Sequence, residues 1–236
     1  MGQATPILFL FSSEHSNRPM KNIFILDVNN VSVIFGKVPL FSSLYLSMHA
    51  GEKVTLSGPS GSGKSTLLRC IVGFAPFSGF IHINGEPLNR HTVWRLRRQV
   101  AYVDQEPDLG PGQVREALKR PFSYKANQAV NFDPHGVDML FERFLLPQSL
   151  QSKEIRTLSG GEKQRVALVV ALLLKRPLLL LDEAASALDA NSKQQVREYL
   201  CEQSELTILS VSHDTRDFTL SNSVFNIEAL KKEQAR

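Results

Sequence analysis

Cysteine is scarce in this chain. Of 236 residues only two are cysteines, Cys70 and Cys201, and they match neither a zinc-binding cluster nor a disulfide framework. They read as reduced thiols of a cytoplasmic protein. Long apolar runs are missing too. The longest clean one, residues 166–174, falls well short of the roughly 18 residues that span a bilayer, so work at a membrane requires another chain to do the spanning. Neither sign of charge dominates, with 27 basic against 23 acidic residues. The densest basic cluster, Arg95, Arg97 and Arg98 beside Trp94, reads as a solvated helix face and not as a nucleic-acid surface. Heptads, low-complexity stretches and internal repeats are absent. The apolar residues 7–11 follow no basic residue and are too few for a secretory leader. Residues 1–20 are expected to be a loose tail, with Met20 as an alternative start.

What is present is an alternation of strand and helix signals. Residues 23–28, 31–35 and 44–48 read as short antiparallel strands, parted by the turn residues Asn29, Asn30, Gly36 and Pro39. Residues 80–83 add a strand that ends in the tight turn Asn84-Gly85. Residues 54–57 form a short strand feeding a glycine-rich loop, with a helix over 65–72. A helical insertion is expected over about 106–160, punctuated by Pro111, Gly112, Pro121, Pro134 and Pro147. Then come a helix over 161–175, wholly apolar strands at 178–181 and 207–211, and between them a helix over 190–202. Strands that are apolar throughout and alternate with helices imply a parallel sheet covered on both faces. The expected fold class is therefore α/β, one domain over 21–236.

The chemistry starts at GPSGSGKST, which is Gly58, Pro59, Ser60, Gly61, Ser62, Gly63, Lys64, Ser65 and Thr66. It fits G-x-x-x-x-G-K-[ST] in full, between a strand and a helix. Backbone N–H groups of such a loop surround phosphate oxygens, and the helix N-terminus points at the anion. Lys64 adds a charge at the β- and γ-phosphates, and the Ser65 hydroxyl can bind Mg²⁺. LLLLDE places Asp182 and Glu183 at the carboxyl end of a buried strand, the side where open α/β sheets bind ligands. Asp182 is suited to hold Mg²⁺ through its waters, and Glu183 to polarise the water that attacks the γ-phosphate. His213 follows the other buried strand and can orient that water. Gln105, after VAYVD, could reach Mg²⁺ or the water with its amide.

A second phosphate grip stands in LSGGEKQ, where Ser159, Gly160, Gly161 and Glu162 open a helix. A helical insertion does not easily fold back onto its own glycine loop, so this grip is expected to serve another chain. Together GPSGSGKST, Gln105, LSGGEKQ, LLLLDE, SALD and His213, in this order and spacing, resemble the ATP-binding subunits of ABC transporters.

The resemblance implies a P-loop NTPase of the ABC ATPase type, with an antiparallel β subdomain and the helical insertion. It implies a head-to-tail homodimer around two ATP molecules, with Ser159, Gly160 and Gly161 touching the γ-phosphate in trans and Asp189 at the dimer seam. It implies a separately encoded membrane permease, docked near the stretch from just after Gln105 to about Tyr124, and a place at the cytoplasmic face of the inner membrane. Many members stack a Tyr on adenine where this chain has Phe35. The ring either stacks there or is a strand core residue. The pattern of residues 140–165 is also similar to the small ATPase subunits of bacterial iron-export (Fet-type) systems. A rival is an ABC-type ATPase in iron–sulfur assembly or mechanical signalling. DNA-repair relatives carry coiled coils or zinc modules that this chain lacks. A clamp that binds ATP without turnover would not need Glu183 and His213.

Overall fold

A computed structural model describes residues 24–36, 38–213, 218–220 and 223–227. The tail expected over residues 1–20 lies outside the described residues. The described residues open with β1 (Leu26–Phe35) and β2 (Val38–Met48), followed by β3 (Lys53–Ser57), α1 (Lys64–Ile71), β4 (Ser78–Ile83) and β5 (Glu86–Pro87). A short α2 (Val93–Leu96) leads into β6 (Val100–Val103), then α3 (Val114–Lys119) and α4 (Pro134–Arg143). The remaining elements are α5 (Gly160–Leu173), β7 (Leu178–Asp182), α6 (Ala190–Glu202), β8 (Thr207–Ser212) and β9 (Val224–Asn226).

Two sheets result. One is antiparallel, in the order β2-β1-β4-β5, and the other is parallel, in the order β6-β7-β8-β3-β9. The two strands expected over residues 23–28 and 31–35 are one. Asn29 and Asn30 were expected to turn the chain, but β1 runs through them with register shifts against both neighbours. Asn30 takes φ 53, which asparagine tolerates better than most residues. Gly79 of β4 makes this bulge possible, because a Cβ there would lie 2.2 Å from the Asn30 carbonyl oxygen. Likewise β2 starts ahead of its expected first residue and runs through Pro39. As the outermost strand, β2 has one side on which proline's missing N–H costs no ladder bond.

The parallel sheet separates two hydrophobic clusters, and β7 shows how. Leu178 and Leu180 pack with β1, β2, β4 and α1, whereas Leu179 and Leu181 pack with α3, α4, α5 and α6. All four leucines are buried, as a strand covered on both faces requires. The helices of the insertion have no core of their own. Val114, Leu118, Leu140 and Phe141 belong to the same cluster as Val103, Leu181 and Leu200.

The parallel strands run in one direction, so the loops leaving β3, β6, β7 and β8 emerge at one edge. Those loops carry the glycine loop, Gln105, Glu183 and His213.

Candidate functional site

The glycine loop leaves β3 through positive φ values at Gly58 (152), Gly61 (75) and Gly63 (101). At Gly63 the space is as demanding as the dihedral. A Cβ there would meet Phe41 Cδ1 at 2.8 Å and Leu40 Cγ at 3.0 Å, so the loop lies directly on β2. Pro59, Ser60 and Gly61 at the crest are exposed, whereas Ser62 and Lys64 are buried. Lys64 Nζ donates to the carbonyls of Gly58 at 2.8 Å and Pro59 at 2.9 Å. Burial lowers its pKa, against the opposing pull of the Glu183 and Asp182 carboxylates. Ser65 and Thr66 are half-buried in the first turn of α1.

Asp182, at the end of β7, is 2% exposed and has both oxygens engaged. Its Oδ1 accepts from Ser65 Oγ at 2.7 Å and its Oδ2 from the Tyr102 hydroxyl at 2.9 Å. Tyr102, on β6, had no role in the sequence reading. The run VAYVD marks it as a strand residue, and its place beside β7 comes only from the pairing of the two strands. Ser65 and Asp182 thus bring two hard oxygen donors together at the head of the glycine loop. Among the described residues no group of three His, Cys, Asp or Glu side chains is placed to hold a metal. A site with so few protein donors fits Mg²⁺, which keeps most of its shell as water and substrate phosphate.

Glu183 begins the turn after β7 with φ 48, a region sparsely populated outside glycine. The turn brings its carboxylate to His213, with Oε1 and Nε2 at 2.7 Å. His213 is nearly half exposed and Glu183 largely covered, with 46% and 10% of their side chains open to solvent. The histidine face is therefore the one open to solvent. Gln105 is exposed just past β6, and its backbone carbonyl accepts from the Gln164 amide at 2.9 Å.

Ser159 is the N-cap of α5. Its hydroxyl accepts from the Glu162 N–H at 3.2 Å, and the Glu162 carboxylate accepts from the Ser159 N–H at 2.7 Å, a reciprocal cap. Gly161 needs its missing side chain within its own chain, because a Cβ would lie 2.7 Å from the Ala187 carbonyl oxygen. Gly160 has only Ala187 Cβ nearby, at 3.5 Å. Asp189 is exposed and caps α6, accepting from Ser192 N at 2.9 Å and Ser192 Oγ at 2.7 Å. Those bonds hold its carboxyl below the usual carboxylate range. Phe35 ends β1 opposite Val38, and the expectation for its ring lies outside the described side chains. Sequence reasoning also gave no role to Gln164, which was visible as the last letter of LSGGEKQ.

Residues 41–186 match the model of the family described as ABC transporter. The chain is 35% identical over 213 residues to "Probable iron export ATP-binding protein FetA" of Escherichia coli strain K12, covering 88% of this chain and 93% of that protein. It is 36% identical to "Fe(3+) ions import ATP-binding protein FbpC" of Pasteurella multocida strain Pm70, covering 87% of this chain and 59% of the relative. Among solved structures it resembles cbiO1 of Clostridium perfringens, part of the ABC transporter complex cbiONQ. The TM-score is 0.67 at 25% identity, over 83% of this chain and 80% of the other.

Proposed function

The chain belongs to the ABC transporter family and is an ATPase coupled to transport; on that footing we propose how its residues perform the hydrolysis. The observation that carries the reading is the convergence of four loops at one sheet edge, with Ser65 on Asp182 and His213 on Glu183. The glycine-loop amides and Lys64 hold the β- and γ-phosphates of ATP. Lys64 is preset for this, since burial has already removed most of its water and its bonds are to loop carbonyls it can exchange for phosphate oxygens. Ser65 and Asp182, with Gln105, would hold Mg²⁺, which would neutralise charge on the phosphates. Glu183 accepts the proton of the attacking water. His213 orients that water and the γ-phosphate from the solvent side. Phosphoryl transfer needs positioning and charge more than covalent chemistry, and these groups supply both.

The helix start at Ser159, Gly160 and Gly161 faces the ATP of a second copy, with Glu162 holding the cap and Asp189 at the seam. What supports this is the state of α5: its cap is complete, yet the N–H groups of Gly160 and Gly161 have no partner within the helix, as for the first turn of any α-helix. ATP thereby joins two copies, and hydrolysis parts them. The pair drives a membrane permease of separate sequence. Among the described residues no helix is long and apolar enough to cross a membrane. The finer reading is iron or metal export. It is supported by the relative described as an iron export protein, which this chain matches over 93% of its length.

Glu183→Gln tests the mechanism. Phosphate release should fall by roughly 10² to 10⁴, while Mg-ATP still produces a dimer by light scattering. Hydrolysis at the wild-type rate would remove Glu183 as the base. Solubilising membranes with the trapped variant and ATP tests the partner. A multi-spanning permease in equal amount is expected, and soluble partners alone would favour a non-transport assembly.

A further inference from the structure

Gln164 lies in the second turn of α5 with its side chain buried, at 2% exposure. An uncharged amide buried this deeply must spend both ends on partners. Its Oε1 accepts from the Ala187 N–H at 3.1 Å. Its Nε2 donates to the Gln105 carbonyl at 2.9 Å and to Ser186 Oγ at 3.1 Å, with the Glu183 carbonyl at 3.5 Å. One side chain thus bonds the loop after β6 and the turn after β7, from the helix whose N-cap is Ser159. The contact is reinforced next door, where Gly161 admits the Ala187 carbonyl at a distance no side chain would allow.

We propose that Gln164 is a positioning residue that fixes the N-terminus of α5 to the turn carrying Glu183 and to the Gln105 loop. Displacing either loop pulls on the amide and hence on the helix start. The edge a chain offers to a neighbouring copy is in this way tied to the chain's own hydrolytic carboxylate. The tie between loops stands on the geometry above. Its consequence for turnover rests on the hydrolytic reading just given.

Three variants of the full-length chain test it. Gln164→Met keeps length and bulk and removes every hydrogen bond. Gln164→Glu keeps the shape, and only its protonated form can accept from Ala187 and donate to Gln105 together. The first readout is amide hydrogen exchange without nucleotide. In Gln164→Met, exchange should speed up over residues 183–188 and 159–163 and stay unchanged in β3 and α1. This holds whether or not the chain hydrolyses ATP, so it separates failure of the inference from failure of the function. The second readout is steady-state hydrolysis. Gln164→Met should lose roughly 10- to 100-fold in kcat, as expected when reacting groups are misplaced, with KM for ATP within about twofold, a loss confined to the transition state. The third is a pH profile. Burial raises a carboxyl pKa, so the rate of Gln164→Glu relative to wild type should climb as pH falls, while that of Gln164→Met stays flat. Unchanged exchange overturns the inference. So does faster exchange with wild-type kcat, a rise in KM without loss of kcat, or a Gln164→Glu ratio that ignores pH. Gln164→Asn, too short to reach both sides, should behave as Gln164→Met, and wild-type behaviour there would also count against it.

Discussion

Replacing Tyr102 by Phe removes one oxygen from the site and leaves the ring in place. The hydroxyl donates to Asp182 Oδ2 at 2.9 Å and stands 3.3 Å from Asp104 Oδ2. It has one proton, and the shorter contact takes it. A hydrogen bond to a charged group contributes about 1.5–3 kcal/mol net. Asp182 keeps its bond from Ser65, so the carboxylate is not orphaned and the lower part of that range applies, about 1.5–2 kcal/mol. In a chain of this size each kcal/mol is worth roughly 2–4 °C in Tm, so Tyr102→Phe should melt about 3–8 °C lower. The phenol's pKa is raised above the ordinary tyrosine value, first by burial and then by the Asp182 and Asp104 carboxylates. A pKa raised by folding gives stability that is complete below the unfolded value, about 10 for tyrosine, and is lost as pH rises through the folded value. The gap in Tm between wild type and variant should therefore be flat from about pH 7 to about pH 9 and narrow above about pH 10. Thermal melts followed by circular dichroism across that range provide the assay. An unchanged Tm at neutral pH, or a gap that widens in alkali, would refute the bond and its role in holding Asp182.

Two other perturbations separate packing from chemistry. Gly161→Ala forces a Cβ to 2.7 Å from the Ala187 carbonyl oxygen and should cost about 1–3 kcal/mol of stability in denaturant titrations. Gly160→Ala meets only an ordinary contact at 3.5 Å and should melt like wild type, so a loss of hydrolysis there would report what approaches the helix end from outside. Burial pushes the Cys70 thiol up to about 11, while Cys201 is exposed. At pH 8 a chromogenic disulfide reagent should find one thiol in the native protein and two after denaturation; immediate reaction of both would place Cys70 wrongly.

Much of this was legible in the sequence because the decisive signals are local. The glycine loop needs its own strand and helix, and the leucine run ending in Asp182 needs nothing more to be recognised as a buried strand. The Ser159 to Glu162 cap is written within four residues. Where reading failed, distant residues had decided. Asn29 and Asn30 have the chemistry of a turn, yet β4 accepts them as a bulge because Gly79 gives way. Tyr102 meets Asp182 across 80 residues and Gln164 meets Gln105 across 59. No local pattern marks either pair, since each exists only after β6 and β7 have paired and α5 has packed on them.

The four leucines of β7 have a final consequence. They serve two cores in alternation, but as identical side chains they hold no information about position. Moved along by one place, three of the four sites would still receive a leucine, and packing would scarcely register the error. The chemistry would, because the carboxylate would face the wrong side. What indexes the strand is therefore its polar end, where the Ser65 and Tyr102 hydroxyls donate to Asp182 and would find no acceptor on a leucine. The residues proposed to hold the nucleotide's counter-charge are also the ruler against which the centre of the sheet is read.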